Sequence, residues 1–160
     1  MKISGLLLAS AMLAGSMPAL AQTIKEVPLP ASQNSNNSVL PIAGANWVGN
    51  TLYVSGWLDP DIKSHPDTKS QTEGILKDLE AFLATQKLTF RNVAMVRVFL
   101  GADPAKDNKM DVAGMTAAYT QFFGTKEQPH KPARTTLSVV LPAGARGALV
   151  EIDLVAVREK

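Results

Sequence analysis

Apolar residues recur along the chain with two different spacings, and the alternation of these spacings predicts a mixed α+β fold. One helix is predicted over 70–88, with Thr68 or Ser70 as its N-cap, because its apolar positions are three or four residues apart. These positions are Ile75, Leu76, Leu79, Phe82 and Leu83. A second helix is predicted over 107–123, with Gly124 ending it as a C′ residue. Its apolar stripe is interpreted as core and comprises Val112, Met115, Tyr119 and Phe122.

Strands are predicted where apolar residues alternate with polar ones or form short uninterrupted runs. Residues 47–56, WVGNTLYVSG, predict a hairpin because Gly49-Asn50 supplies a tight turn between two apolar segments. Further strands are predicted over 93–100, 135–141 and 149–157. The resulting order, ββ-α-β-α-ββ, predicts one sheet beneath two helices.

The last predicted strand is apolar on both of its sides. Val150, Ile152, Leu154 and Ala156 point one way, and Leu149, Glu151, Asp153, Val155 and Val157 point the other way. Only one side can lie under the helices, and an exposed apolar sheet face usually marks an interface. We therefore expect an oligomer whose sheets pack against one another, with Glu151 near a subunit boundary.

The N-terminal residues predict export from the cytoplasm. A short positive start and an apolar run precede Ala19-x-Ala21, so residues 1–21 are predicted to be a cleaved secretory signal peptide. The alternative interpretation is a buried N-terminal helix. The mature protein would then be periplasmic or secreted, and not embedded in a membrane. Residues 22–38, rich in Pro, Asn and Ser, predict a flexible lead-in to a single domain over 39–160.

Composition excludes several classes of site. The 160 residues contain no cysteine, which excludes disulfides, thiolate nucleophiles and zinc-thiolate sites. The formal net charge is only +2, and no basic tract with interleaved aromatics is present, so no nucleic-acid partner is expected. His65 and His130 lie in predicted loops and are expected to be solvated. No metal-ligand spacing or phosphate-binding loop is present, so neither a metal nor a cofactor is expected.

Arg134 and Glu151 are the remaining candidates for chemistry. Arg134 lies at the entrance of the strand predicted over 135–141, and Glu151 lies in the last strand. The two side chains either form a cross-strand salt bridge or belong to a site. On the residues alone the salt bridge is favoured, because such pairs are common and contribute little to stability.

Several motifs together carry a family resemblance. They are Val48-Gly49-Asn50 through Ser55-Gly56, Tyr119-x-x-Phe122-Phe123, Pro132-Ala133-Arg134-Thr135-Thr136, Leu141-Pro142, and Val150-Glu151-Ile152-x-x-x-Ala156-Val157. Their order and spacing resemble those of the RidA (YjgF/YER057c/UK114) family over 39–157. The family comprises enamine/imine deaminases and related ligand-binding proteins. The resemblance implies a chorismate-mutase-like α+β fold, with a ββαβαββ sheet and two helices on one face. It also implies a homotrimer with sites in clefts between subunits.

The resemblance also implies roles for individual residues. Arg134 matches the arginine that holds the substrate carboxylate, a task that suits the two parallel hydrogen bonds of a guanidinium. Glu151 matches the glutamate that orients and activates water. Ser55 and Gly56 match a turn that lines the substrate pocket.

Three positions depart from the pattern of the family's active members. Thr116 stands where they have an asparagine, and Thr136 stands where they have a cysteine; both are retained as expected substrate contacts. Ile42 stands where a tyrosine is common. These departures alter the predicted pocket but leave its two charged groups in place.

Four functions are compatible with these residues. The first hypothesis is a hydrolase resembling 2-iminobutanoate/2-iminopropanoate deaminase, which converts 2-imino and enamino acids to 2-oxo acids and ammonia without a cofactor. The alternative is a non-catalytic trimer that binds small carboxylates in the same cleft. A ribonuclease is less well supported, because no basic stripe and no histidine pair are present. A structural or chaperone-like role is the remaining alternative.

Overall fold

A mixed β-sheet carries two α-helices on one face. The computed structural model describes residues 23–34, 38–141 and 147–159. The predicted signal peptide, residues 1–21, lies outside the described residues. The strands are β1 Ile24–Val27, β2 Ala45–Val48, β3 Thr51–Trp57, β4 Val93–Leu100, β5 Ala133–Ser138 and β6 Val150–Val157. The helices are α1 Thr68–Thr85 and α2 Val112–Tyr119, with short 3-10 turns at Phe90–Asn92 and Pro104–Lys106.

The strand order in the sheet is β1-β2-β3-β6-β4-β5. All neighbours are antiparallel except β4 and β5, which are parallel because α2 crosses over between them. The predicted α+β fold is confirmed, and so is the hairpin turn at Gly49-Asn50, which joins β2 to β3. The last strand in the sequence, β6, therefore lies near the middle of the sheet.

The N-terminal segment contains a strand that the sequence did not predict. Residues 22–38 were expected to be a flexible lead-in, yet Ile24–Val27 pairs with β2 at the edge of the sheet. Ile24 and Val27 lie opposite Val48 and Ala45. Four residues are too few to establish an alternating pattern, and the surrounding Pro and Asn residues are typical of a loop. The sequence therefore does not predict this strand.

The core lies between the helices and one face of the sheet. Alternate residues of β6 on that face, including Ile152 and Leu154, are fully buried. The indole of Trp57 packs against Phe82 of α1, with ring centroids 4.8 Å apart. Burying such side chains contributes roughly 1.5–3 kcal/mol each. This face supplies the packing that holds the helices in place.

Helix α1 begins earlier than predicted and has a different cap. Asp67, rather than Thr68 or Ser70, is the N-cap, and its carboxylate accepts a hydrogen bond from the Ser70 amide at 2.7 Å. That hydrogen bond is the main reason the pKa of Asp67 is lowered. The helix ends at Thr85, three residues before the predicted end. Lys87 then adopts a left-handed conformation, with φ of 58°, which explains the earlier stop.

Helix α2 is shorter than the predicted 107–123. Asp107 and Asn108 are left-handed, with φ of 55° and 56°, so the helix cannot begin there. Asp111 caps the first turn by accepting from the Gly114 amide at 2.9 Å. The expectation that Gly124 ends the helix as a C′ residue is wrong, because Thr120 is the C-cap. Gly124 has a positive φ of 74° but belongs to the following turn.

Strands β5 and β6 begin at different residues from those predicted. β5 starts at Ala133 rather than 135 and ends at Ser138, so Arg134 lies inside the strand and not at its entrance. β6 starts at Val150, which makes Glu151 its second residue. These shifts fix the directions in which the two charged side chains point. No helix in the described part of the chain is both long and apolar enough to cross a membrane.

Candidate functional site

Arg134 lies on the face of the sheet that carries the helices. In the parallel pair of β5 with β4, Arg134 is in register with buried Val96. Its guanidinium carbon lies 4.6 Å from the centroid of the Tyr119 ring on α2, within range of a cation–π interaction. Its Nη1 also contacts the Met115 sulfur at 3.8 Å. Helix α2 therefore holds the arginine from one side.

An open cleft of about 540 Å³ surrounds this arginine. It is lined by Thr116, Tyr119, Thr120, Phe123, Gly124, Lys131, Pro132 and Arg134. No carboxylate of the described residues forms an ion pair with Arg134. A guanidinium that borders a cleft without an acidic partner is able to bind a ligand carboxylate with two parallel hydrogen bonds.

Tyr119 contributes an aromatic wall to the cleft. Burial raises the pKa of Tyr119 to about 12, although the Arg134 charge opposes this shift. The phenol is therefore neutral near pH 7. Its hydroxyl is buried and has no hydrogen-bond partner among the described residues. Such a group costs free energy unless a ligand or water satisfies it, so the hydroxyl is a potential ligand contact.

Of the two threonines predicted to contact substrate, only Thr116 lines the cleft. Thr116, half-buried on α2, lines the cleft with Arg134. Thr136 points to the same face of β5, in register with Val98, but is not part of the cleft lining. Thr116 and Arg134 are thus brought together, whereas Thr136 lies further along the strand.

Glu151 lies on the opposite, open face of the sheet. It is in register with Phe99 of β4, which is itself in register with Leu137 of β5. Desolvation by burial raises the pKa of the Glu151 carboxyl, and the nearby Asp153 carboxylate raises it further. A carboxylate with a raised pKa is a stronger base than an ordinary one, which suits it to accept a proton.

Gly56 of β3 lies beside this glutamate, and Ser55 precedes it in the same strand. A Cβ at position 56 would overlap the Glu151 carboxylate, so glycine is required for the glutamate to lie against the backbone of β3. The Ser55 hydroxyl donates to the Ala43 carbonyl at 2.7 Å, and the Ser55 amide donates to the Gly44 carbonyl at 3.0 Å. These bonds tie the loop before β2 to the strand that supports Glu151.

The candidate site therefore consists of two half-sites on opposite faces of one sheet. We call Arg134, Tyr119 and Thr116 the arginine half-site, and Glu151 with Gly56 the glutamate half-site. The cross-strand salt bridge that the sequence favoured is wrong, because β4 separates β5 from β6 and the two side chains point to opposite faces. Arg97 and Asp153 form an ion pair on the open face instead, at 2.7 Å. The roles implied for the six predicted residues stay predictions.

A buried glutamine positions the start of the glutamate strand. Gln71 of α1 is 1% exposed. Its amide nitrogen donates to the Gly147 carbonyl at 2.9 Å, and its oxygen accepts from the Leu149 amide at 2.8 Å. These bonds fix the backbone two residues before Glu151. This role of Gln71 was not predicted from the sequence, although a polar residue on the apolar face of a predicted helix is a signal for it.

The two histidines are partly exposed, and each also has a partner within the chain, which the sequence did not predict. His65 Nδ1 lies 2.6 Å from the buried carboxylate of Asp59, and His130 Nε2 lies 2.6 Å from the Val93 carbonyl. Both rings therefore have partners within the chain. Within the described residues, no group of three or more His, Cys, Asp or Glu side chains is placed to hold a metal ion.

Comparisons with known proteins agree on one family. Residues 37–158 match the family model described as Endoribonuclease L-PSP. A RutC family protein of Sulfurisphaera tokodaii is 33% identical over 129 residues, which cover 78% of this chain and 93% of that protein.

Solved structures share the fold at lower sequence identity. A YjgF/YER057c/UK114 family member from Mycobacterium tuberculosis has a TM-score of 0.62 at 21% identity, covering 85% of this chain and 100% of its own. A Rid family protein from Yersinia pestis has a TM-score of 0.63 at 24% identity, covering 84% and 100%. These similarities extend over the sheet and both helices.

Proposed function

Because the chain belongs to the RidA (YjgF/YER057c/UK114) family, we propose that it hydrolyses 2-imino and enamino acids to 2-oxo acids and ammonia. The observation that carries the proposal is the pair of half-sites. Arg134 borders an open cleft and has no acidic partner among the residues that the structure describes, and burial raises the pKa of Glu151. The reaction requires a carboxylate anchor and a base, and these two groups supply them.

The chemistry needs no group beyond the two side chains and water. Arg134 binds the substrate carboxylate, which fixes the adjacent imine carbon. Glu151 accepts a proton from a water molecule as the water oxygen forms a bond to that carbon and the C=N bond becomes a single bond. That proton passes to the imine nitrogen and gives a carbinolamine. A second proton then moves from its hydroxyl to the nitrogen, the C–N bond breaks, and ammonia leaves as the carbonyl forms. Positioning supplies most of the acceleration, because the substrate hydrolyses readily on its own.

We propose that the protein forms a homotrimer with its sites between subunits. Within one chain Arg134 and Glu151 lie on opposite faces of the sheet, so a complete site requires an arginine half-site from one copy and a glutamate half-site from another. A contact that joins two different surfaces is heterologous, and a closed ring of such contacts gives each copy one complete site. The open sheet face, with exposed Tyr53, Leu137 and Val157, supplies apolar area for the interface.

We also propose that the protein is exported, with residues 1–21 removed. Its imine substrates would then arise outside the cytoplasm, from an enzyme that oxidises amino acids. N-terminal sequencing of the protein from its natural host tests export. A mature chain that begins at Gln22 supports the proposal, and an intact N-terminus overturns it.

The test of the function is release of oxo acid from imines generated in situ by an amino-acid oxidase. We expect Arg134→Ala to lower kcat/KM by about 100-fold or more, because the carboxylate anchor is lost. Arg134→Lys keeps the charge but not the planar fork, so its rate should be intermediate. Glu151→Gln should lower kcat by roughly 10²–10⁴-fold.

The exposed Glu159 provides the matched control for the glutamate variant. Glu159→Gln should leave both kinetic constants unchanged. Circular dichroism spectra that match the wild type exclude misfolding as the cause of the losses. Wild-type rates in both Arg134→Ala and Glu151→Gln would overturn the proposed mechanism.

The second candidate is a non-catalytic trimer that binds small carboxylates. The hydrophobic Ile42, 57% exposed, favours it, because active family members commonly have a tyrosine there. Under this alternative 2-oxo acids raise the melting temperature through Arg134, but imines decay no faster than without protein. Turnover well above the uncatalysed rate excludes it.

Phosphodiester cleavage, which the family model's description names, is not favoured by the described residues. His65 is paired with Asp59, and His130 with a backbone carbonyl. The deaminase remains the function that the half-sites support best.

A further inference from the structure

Lys131 lines the same cleft as Arg134 and is held there by its neighbours. Pro132 follows it and restricts its backbone to extended conformations. Its side chain runs over Gly124, where a Cβ would lie 3.1 Å from the Lys131 Cε. Gly124 has a φ of 74°, which favours glycine at this position. The stem of Lys131 is thereby packed along the cleft wall.

The cleft is consequently a cationic pocket with one aromatic side. Its lining contains Arg134 and Lys131 but neither Asp nor Glu. Lys131 forms no ion pair with any carboxylate in the described ranges. The Tyr119 and Phe123 rings stack with centroids 4.7 Å apart and form the apolar wall. If Arg134 binds one carboxylate of a ligand, the Lys131 ammonium is a second positive charge in the cleft that is still available to bind another acidic group.

We infer that Lys131 selects substrates with a second acidic group, so that the preferred substrates are 2-imino dicarboxylic acids. This inference rests on the proposed function and specifies its substrate class. Arg134 binds the carboxylate next to the imine, and the Lys131 ammonium binds the acid at the end of the substrate's side chain. Lys131 acts only in specificity and takes no part in hydrolysis. A monocarboxylic imine lacks the second contact and binds more weakly.

The kinetic test compares imines generated in situ from glutamate with those from 2-aminobutanoate. We expect the wild type to prefer the dicarboxylic imine by about tenfold in kcat/KM, the size of one charge-assisted contact. Lys131→Met should remove that preference by lowering kcat/KM for the dicarboxylic imine towards the value for the monocarboxylic imine. Lys131→Glu should reverse the preference. The exposed Lys126 lies outside the cleft lining, so Lys126→Met is the matched control and should change neither rate.

A binding experiment separates failure of this inference from failure of the deaminase proposal. Isothermal titration calorimetry measures 2-oxoglutarate and 2-oxobutanoate with wild type and Lys131→Met. Tighter binding of 2-oxoglutarate that depends on Lys131, without imine turnover, overturns the deaminase and supports the selectivity. Turnover without a dicarboxylate preference, or a preference that survives in Lys131→Met, overturns the selectivity and leaves the deaminase standing. Stronger activity on aromatic imines would instead assign specificity to the Tyr119–Phe123 wall.

Discussion

The two faces of the sheet differ in how completely a single chain buries their apolar residues. On the face that carries the helices, Leu52, Ile152 and Leu154 are buried by residues of the same chain. On the open face, Tyr53 and Leu137 remain 50% and 47% exposed. The first face is a completed core, whereas the second is a partly apolar surface that no element of the described chain covers. The same β-strands therefore serve folding on one side and, as we propose, assembly on the other.

The largest expected effect comes from a charge on the open face. Val155 lies between Met95 and Tyr53 in the sheet and is half-buried. Val155→Lys should leave the single chain folded but prevent the sheets from packing together, because the ammonium cannot be desolvated there. Analytical ultracentrifugation should find three times the mass of one chain for the wild type and one chain for the variant. If Val155→Lys still forms a trimer, the open face is not part of the subunit interface.

A truncation on the opposite face sharpens the comparison. Leu154 is adjacent in sequence but points into the core and is 1% exposed. Leu154→Ala should cost about 2–5 kcal/mol of the free energy of unfolding, because it leaves a cavity between the sheet and the helices. Urea unfolding at several protein concentrations measures this loss. Val155→Ala is the matched truncation on the open face and should lower the free energy of unfolding of the single chain much less. Equal losses in the two variants would contradict the distinction between the faces.

The smallest expected effect concerns the pH dependence of stability at Glu151. Its pKa in the folded chain is raised above the ordinary value of 4.5 by burial and by Asp153. Between the ordinary and the raised value the folded state binds more protons than the unfolded state, so stability falls as pH rises through this window. Glu151→Gln stays neutral and should melt slightly higher than the wild type at pH 8. The difference should disappear below pH 4.5, and a lower melting temperature at pH 8 would contradict the assigned cause.

Strong periodic patterns in the sequence predicted the parts of the fold that the core requires. β4 has the predicted bounds, 93–100. Buried residues alternate with more exposed ones along most of this strand, and apolar spacing in the sequence reveals such alternation. The predicted start of α2 was wrong, because Asp107 and Asn108 adopt left-handed conformations that apolar spacing does not reveal. β1 was missed because four residues in a Pro-rich context carry too little pattern.

The candidate site was identified only in part from the sequence. The residues alone singled out Arg134 and Glu151, and the family resemblance implied their roles. That they lie on opposite faces depends on strand register, which the sequence did not predict. Tyr119 was assigned to the core because its helical spacing matches a buried stripe. It is indeed buried, yet its ring also stacks on Arg134. Spacing identifies the buried side of a helix and does not show which of its residues border a cleft.

The central place of β6 in the sheet has a consequence for how the protein is made. β6 is the last strand in the sequence, yet it joins β3 to β4 and thereby links the two parts of the sheet. Until β6 has left the ribosome, the hairpin with α1 and the later β4-α2-β5 unit have no strand between them. Contacts between β3 and β6 span about a hundred residues and close large loops, which slows folding. A nascent chain would therefore keep the two parts of its sheet unjoined until β6 has emerged, so the core over β3 and β4 is completed late in synthesis.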